Sequence, residues 1–423
     1  MDFMTLPDGP LTLLNVTLPA CLIGQEGDLT RSEITLANGQ ITPAAGSGGT
    51  SVDMRGAMVL PAFVDCHTHL DKGHIWPRAQ NKDGTFGGAI HAVRNDHAHW
   101  SAEDVRARAN FALKSAYAHG TRAIRTHLDS MHGQYLLSWP VMSELRQEWA
   151  DRIDLQMTSL ISCEGYHLPQ YIQIADMVAE LGGVLGMVTY PVSDLREILL
   201  GHIEVAAQRG LALDFHSDET MDPTSETLRL IAETVLETGF DAPVLVGHCC
   251  SLSTQDEVRA MDTLDLVARA GLNVVSLPLC NLYLQDRQTQ RTPRTRGITL
   301  VHEMRTRGIQ VSFASDNTRD PFYAYGDQDM VEVLREATRI GHLDHSDADW
   351  IKAFTTTPAR VCGFSAQDLQ PGAPADLVIC RARNWTEFFA RPQADRILLR
   401  KGVAIDRTFP DYAELDHLFQ ATS

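Results

Sequence analysis

Eight apolar, strand-like runs recur between Val59 and Ser315, and most side chains able to hold a metal stand at or just behind the end of one of them. The runs are 59–66, 121–127, 153–161, 183–190, 211–216, 243–248, 273–279 and 310–315, and amphipathic helical stretches separate most of them. Strand–helix alternation of this kind is the pattern of βα units around a parallel sheet. Eight units predict an α/β fold, a closed (β/α)8 TIM-like barrel. An open doubly wound sheet is the competitor, but no Gly-rich phosphate loop follows the first run. Ser101–His119 illustrates the helical stretches: Ser101-Ala102-Glu103-Asp104 reads as a capping start and Gly120 as a stop.

The two ends of the chain have a different texture. Residues 1–60 hold short apolar runs (Leu11–Leu18, Ile34–Leu36, Ala57–Leu60) punctuated by Gly, Ser and Pro, with Ala44–Ser51 as a small-residue connector. Strand-like runs return in residues 366–423 at Ala375–Cys380 and Arg396–Arg400. We expect residues 61–365 to form the barrel, and residues 1–60 and 366–423 to pair into one small β-sandwich-like domain. No internal repeat or low-complexity tract is present.

Charge narrows the partners. With 36 Lys+Arg against 54 Asp+Glu the net charge is −18. Such a surface repels phosphate backbones and anionic lipids, which argues against nucleic-acid and membrane partners but not for any particular substrate. No run approaches the roughly 18 apolar residues of a membrane span, and the first residues lack a basic region before an apolar stretch. The eight cysteines are scattered with no Cys-x-x-Cys, as expected of reduced thiols, so a cytoplasmic location is expected. A homo-oligomer stays open.

The polar motifs carry the chemistry. In a βα barrel the active site lies at the C-terminal ends of the strands. His67 and His69 close the first run, His216 the fifth, His248 the sixth and Asp316 the eighth. Alternate strand residues share a face, so His67 and His69 can grip one ion. Three neutral imidazoles and a carboxylate suit zinc or ferrous iron with room for a water, whose pKa the ion lowers to about 7. A single strand-end histidine is more often structural, and His127, ending the second run, is read that way.

Four segments, Pro61–Lys72, Asp214–Glu219, Gly247–Cys249 and Ser315–Phe322, together with Asn281–Arg287 and Arg294–Ile298, resemble the amidohydrolase superfamily and within it the cytosine deaminase branch. The resemblance runs from about Ala57 to Ala404. It implies one divalent metal, zinc or alternatively iron, on His67, His69, His216 and Asp316. It also implies Glu219 as proton shuttle, His248 as the group that orients the attacking oxygen, and Asp316 as acceptor of the water's proton. The reaction implied is hydrolytic deamination of a cytosine-like heterocycle. Members with two metals usually carry a bridging lysine on the fourth strand; Gly182–Tyr190 contains none, so one metal is expected and a cyclic-amide hydrolase is disfavoured. The small zinc deaminases need Pro-Cys-x-x-Cys, which is missing.

Several positions depart from the cytosine deaminase pattern. Ser162 stands where that branch has a ring-reading glutamine, and a serine cannot make the same two-point amide contact. Asn317 replaces an aspartate. Lys72 and Asn317 are more similar to the hydrolase of N-isopropylammelide, an aminotriazine, which makes alkylamine release the alternative reaction. Lys72 reads either as a salt-bridged side chain or as a donor to a ring carbonyl. Phe322 reads either as packing or as a stacking face. Ser162, Asn317, Lys72 and Phe322 are therefore the candidate substrate contacts.

Overall fold

The structure is a computed structural model that describes residues 4–43, 49–345 and 349–419; residues 44–48 of the expected connector fall outside them. Eight parallel strands run in sequential order around a barrel: Phe63–Thr68, Thr121–Asp129, Asp154–Ser162, Leu185–Thr189, Leu213–Ser217, Val244–His248, Asn273–Ser276 and Val311–Phe313. The first and last strands meet through one parallel bridge between Thr68 and Asp316. There the Asp316 amide donates to the His67 carbonyl at 2.9 Å and the Thr68 hydroxyl to the Asp316 carbonyl at 2.7 Å. Barrel closure and placement of the aspartate are thus the same set of contacts.

The first expected strand is two. Met58–Pro61 pairs antiparallel with Leu377–Cys380 in a second sheet, and only Phe63–Thr68 enters the barrel. The seventh run ends at Ser276, where Pro278 opens a helix, Pro278–Leu284. The helix Ala102–His119 has the expected ends: the Ser101 hydroxyl accepts from the Asp104 amide at 3.1 Å, and Gly120 takes φ +107° at the stop.

The second sheet has eight strands drawn from both ends of the chain. Leu11–Pro19 lies against Leu29–Ala37, Thr50–Asp53 and Met58–Pro61, and Leu377–Cys380 carries Ile397–Arg400 on its outer side. A buried ion pair ties this sheet to the barrel. Arg396, just before Ile397–Arg400, donates to both carboxylate oxygens of Asp329 and, at 3.1 Å, to the His119 carbonyl. Asp329 also caps the helix Met330–Gly341. Burial alone would raise the Asp329 pKa, but the Arg396 and His119 charges outweigh it and hold the carboxyl well below the usual range. Its contribution is therefore complete above the unfolded carboxylate pKa and lost as pH falls. Arg396→Met should cost about 1–3 kcal/mol, the size of losing a charged hydrogen-bond partner, because His119 stays 3.2 Å from Asp329. Urea unfolding at neutral pH measures this, and a cost near zero would mean that the pair does not couple the two sheets.

Candidate metal and proton-transfer site

The strand ends that carry the polar motifs leave the sheet by sharp turns. Asp218, His248, Cys249 and Asp316 have φ of +51°, +70°, +51° and +64°, the left-handed region that non-glycine residues avoid. Strain of this kind persists only where the surroundings over-determine it. For Asp218 the surroundings are explicit. Its carboxylate accepts from the Ser225 and Thr227 hydroxyls and from the Thr227 and Leu228 amides, while its carbonyl accepts from the Cys250 amide. The turn so fixed is followed by Glu219, which lines the same cavity as His216, His248 and Asp316. Asp316 is braced from behind, where Asp65 accepts from both the amide and the hydroxyl of Ser315.

The imidazoles converge. His69 Nε2 lies 3.3 Å and His67 Nε2 3.7 Å from Asp316 Oδ1, and His216 Nε2 lies 3.5 Å from His69 Nε2. Donors about 2.1 Å from one ion at tetrahedral angles are roughly 3.4 Å apart, so these spacings are those of a shared cation. His67 Nε2 and both Asp316 oxygens are buried without a hydrogen-bond partner among the described residues, a costly arrangement that a cation relieves. Burial first, then neighbouring charges, lowers the pKa of His67, His69 and His216, which keeps the rings in the neutral form that binds metal. The donor set fits a divalent ion. Gly247 belongs to it indirectly: a Cβ there would come within 3.0 Å of the His67 ring.

Beside this cluster sit Glu219 and His248. His248 Nδ1 is 3.3 Å from Glu219 Oε1, and the Asn281 amide nitrogen lies 3.3 Å from that oxygen and 3.1 Å from that ring nitrogen. Burial, and then the charge of Asp316, pushes the Glu219 carboxyl well above the ordinary range. Burial pulls His248 down to about 3, so its ring is neutral.

A cavity of about 310 Å³ opens onto these groups. Lys72, Ser162, Asn317 and Phe322 all line it, as do His69, His216, Glu219, His248 and Asp316. Lys72 is buried and ion-paired with Asp129 at 3.0 Å; burial opposes its charge, but Asp129, Asp71 and Asp320 outweigh burial and raise its pKa. Its ammonium also stands 5.3 Å from the centre of the Phe322 ring. Asn317 gives its amide hydrogens to Asp320 at 2.7 Å. Apolar walls come from Phe86, Ile90, Val93, Met131, Leu160 and Val188.

The amidohydrolase family pattern matches residues 170–404, more than half of the chain and the part that carries His216, Glu219, His248 and Asp316. A pterin deaminase of Rhizobium rhizogenes is 48% identical over 99% of both chains. The chain belongs to the amidohydrolase family. Two solved structures share the fold along nearly the whole length. The 5-methylcytosine deaminase of Klebsiella pneumoniae, liganded with 5-fluorocytosine, has TM-score 0.79 and 25% identity, covering 95% of this chain and 98% of that one. The N-isopropylammelide isopropylaminohydrolase of Burkholderia multivorans has TM-score 0.73 and 24% identity, covering 94% and 98%.

In this amidohydrolase the structure also brings up His127, read from the sequence as structural, and several residues that sequence reasoning passed over. His127 Nε2 is 3.0 Å from Asp214 Oδ1, yet its ring packs 4.0 Å from that of His67, and one of its nitrogens lies within 4.8 Å of donors from His67, His69 and His216. Asp129, Phe86, His132 and Tyr190 line the cavity. Asp129 ends a barrel strand, the same signal that marked the other groups; Phe86 opens the helix Phe86–Asp96 and His132 sits in a turn, with no such mark. All eight cysteines are free thiols. No helix among the described residues is long and apolar enough to cross a membrane.

Proposed function

We propose that this amidohydrolase hydrolytically removes the exocyclic amine of a pterin-like aminopyrimidine, releasing ammonia, with one divalent metal, zinc or alternatively ferrous iron, held by His67, His69, His216 and Asp316. The observation that carries the reading is the convergence of three imidazoles and a buried carboxylate beside a second carboxyl, Glu219, whose protonated form burial favours. The ring assignment rests on the 48% identity with a pterin deaminase over essentially the full chain. An ion bound among these donors supplies Lewis acidity that lowers the pKa of a water to about 7.

The chain's own groups do the rest. Asp316 accepts a proton from the attacking water. Glu219 protonates the ring nitrogen beside the carbon under attack and takes back the hydroxyl proton of the tetrahedral centre as the carbonyl forms, while the proton held by Asp316 passes to the departing amine, which leaves as ammonia. His248 donates an N–H to the oxygen as negative charge develops on it. Lys72 and Asn317 meet the ring's polar edge, and Phe322 with Phe86 supplies an aromatic wall. Ser162, short where a monocyclic pyrimidine would be gripped by a longer amide, leaves room for a second fused ring.

Deamination of a cytosine-like ring is the second reading, favoured by the likeness to the 5-methylcytosine deaminase structure. Ammonia release from pterin, isocytosine, cytosine and 5-methylcytosine, assayed beside alkylamine release from N-isopropylammelide, separates the readings. Pterin should give the highest kcat/KM. A preference for cytosine would reassign the ring, alkylamine release would reassign the leaving group, and a ring-opened product without ammonia would make the enzyme a cyclic-amide hydrolase. Ser162→Gln should move preference toward cytosine at the expense of pterin; an unchanged ratio would mean that another residue reads the ring.

A further inference from the structure

Asn281 is buried, on the helix Pro278–Leu284, and its amide nitrogen faces two acceptors at once, His248 Nδ1 at 3.1 Å and Glu219 Oε1 at 3.3 Å. Its backbone is locked on both sides. Its amide donates to the Leu277 carbonyl, and its carbonyl accepts from the Gln285 amide at 2.9 Å. Gly297 sits so close that a Cβ there would come within 2.8 Å of that carbonyl. Gln285 in turn donates to the Glu219 backbone carbonyl at 3.1 Å. The helix therefore meets Glu219 twice, once through its side chain and once through its backbone.

A neutral imidazole carries one proton, and a partner at one nitrogen decides where it resides. If His248 bore its proton on Nδ1, that N–H would confront the N–H of Asn281. The amide therefore makes Nδ1 an acceptor and puts the proton on Nε2. His248 Nε2 is buried with no hydrogen-bond partner among the described residues, and one nitrogen of the ring lies within 4.8 Å of donor atoms of His67 and Asp316. We infer that Asn281 is a positioning residue that sets the tautomer of His248, so that Nε2–H is turned to the reacting oxygen, and holds the Glu219 carboxyl in line with it. This rests on the deaminase reading for the roles of His248 and Glu219, but not for the tautomer itself.

The test uses zinc-loaded protein labelled with ¹⁵N-histidine, in which His248→Gln identifies the His248 resonances. Wild type should show His248 protonated on Nε2. Asn281→Asp has nearly the same shape but turns a carboxylate toward Nδ1, which should draw the proton to Nδ1. With metal content and KM unchanged, kcat should fall by about a hundredfold or more, the size of losing one donor to a developing oxyanion. Asn281→Ala removes the bias without reversing it; it should give a mixed tautomer signal and a smaller fall in kcat, and it serves if the aspartate variant does not fold. An unaltered His248 signal in the variant that folds would overturn the inference, as would a kcat within threefold of wild type for Asn281→Asp. Should the wild type release no ammonia from any ring, the deaminase reading fails, while the ¹⁵N pattern still decides the tautomer.

Discussion

Glu219→Gln should leave metal content and thermal stability as in the wild type and lower kcat by at least about a hundredfold, the lower end of what a positioned acid or base contributes. The substitution keeps the shape of the side chain beside Asn281 and His248 and removes only the transferable proton. The wild-type carboxyl is suited to that task, since burial and the neighbouring Asp316 charge both favour its protonated form. A carboxyl at its ordinary pKa would be ionised and could not protonate a ring nitrogen. A variant with near-normal turnover on the preferred ring would remove Glu219 from the chemistry and leave Asp316 as the only proton carrier at the site.

His216→Ala should release the metal. Four protein donors hold the ion in the arrangement proposed, and the loss of one imidazole leaves two rings and a carboxylate with an open side. Elemental analysis after dialysis should fall from about one ion per chain to well below half, with activity falling to that of chelator-treated protein. Because an ion bound only to the folded chain stabilises it by mass action, the melting temperature of the variant should also stop responding to added metal. Unchanged stoichiometry would take His216 out of the coordination shell. His127 would then be the first replacement to examine, since its ring lies 4.8 Å from that of His216 and 4.0 Å from that of His67.

What the chain order discloses, and what it hides, follows from range. The strand-end histidines were readable because each one ends an apolar run, and the run fixes both its strand and the end of the barrel it faces. The break between Pro61 and Phe63 was not readable. Both halves of Val59–Cys66 are fully buried, so no polar alternation marks the point where the chain leaves one sheet for the other. Lys72 could be narrowed to two roles but not resolved, because its carboxylate partner Asp129 lies 57 residues away. Asn281 and Phe86, on helices that follow barrel strands, join the site only through barrel closure, for which local periodicity carries no signal. His127 keeps the ion-paired contact with Asp214 that a structural histidine would have, and what a lone strand-end position could not show is that three other histidines meet it across the barrel.

Anomalous diffraction from crystals of the metal-loaded protein, recorded at the absorption edge of the bound element, tests the central claim most directly. The account predicts one peak per chain, within about 2.0–2.2 Å of nitrogens of His67, His69 and His216 and an oxygen of Asp316. A peak elsewhere, a second ion sharing the site, or none at full metal loading would contradict it.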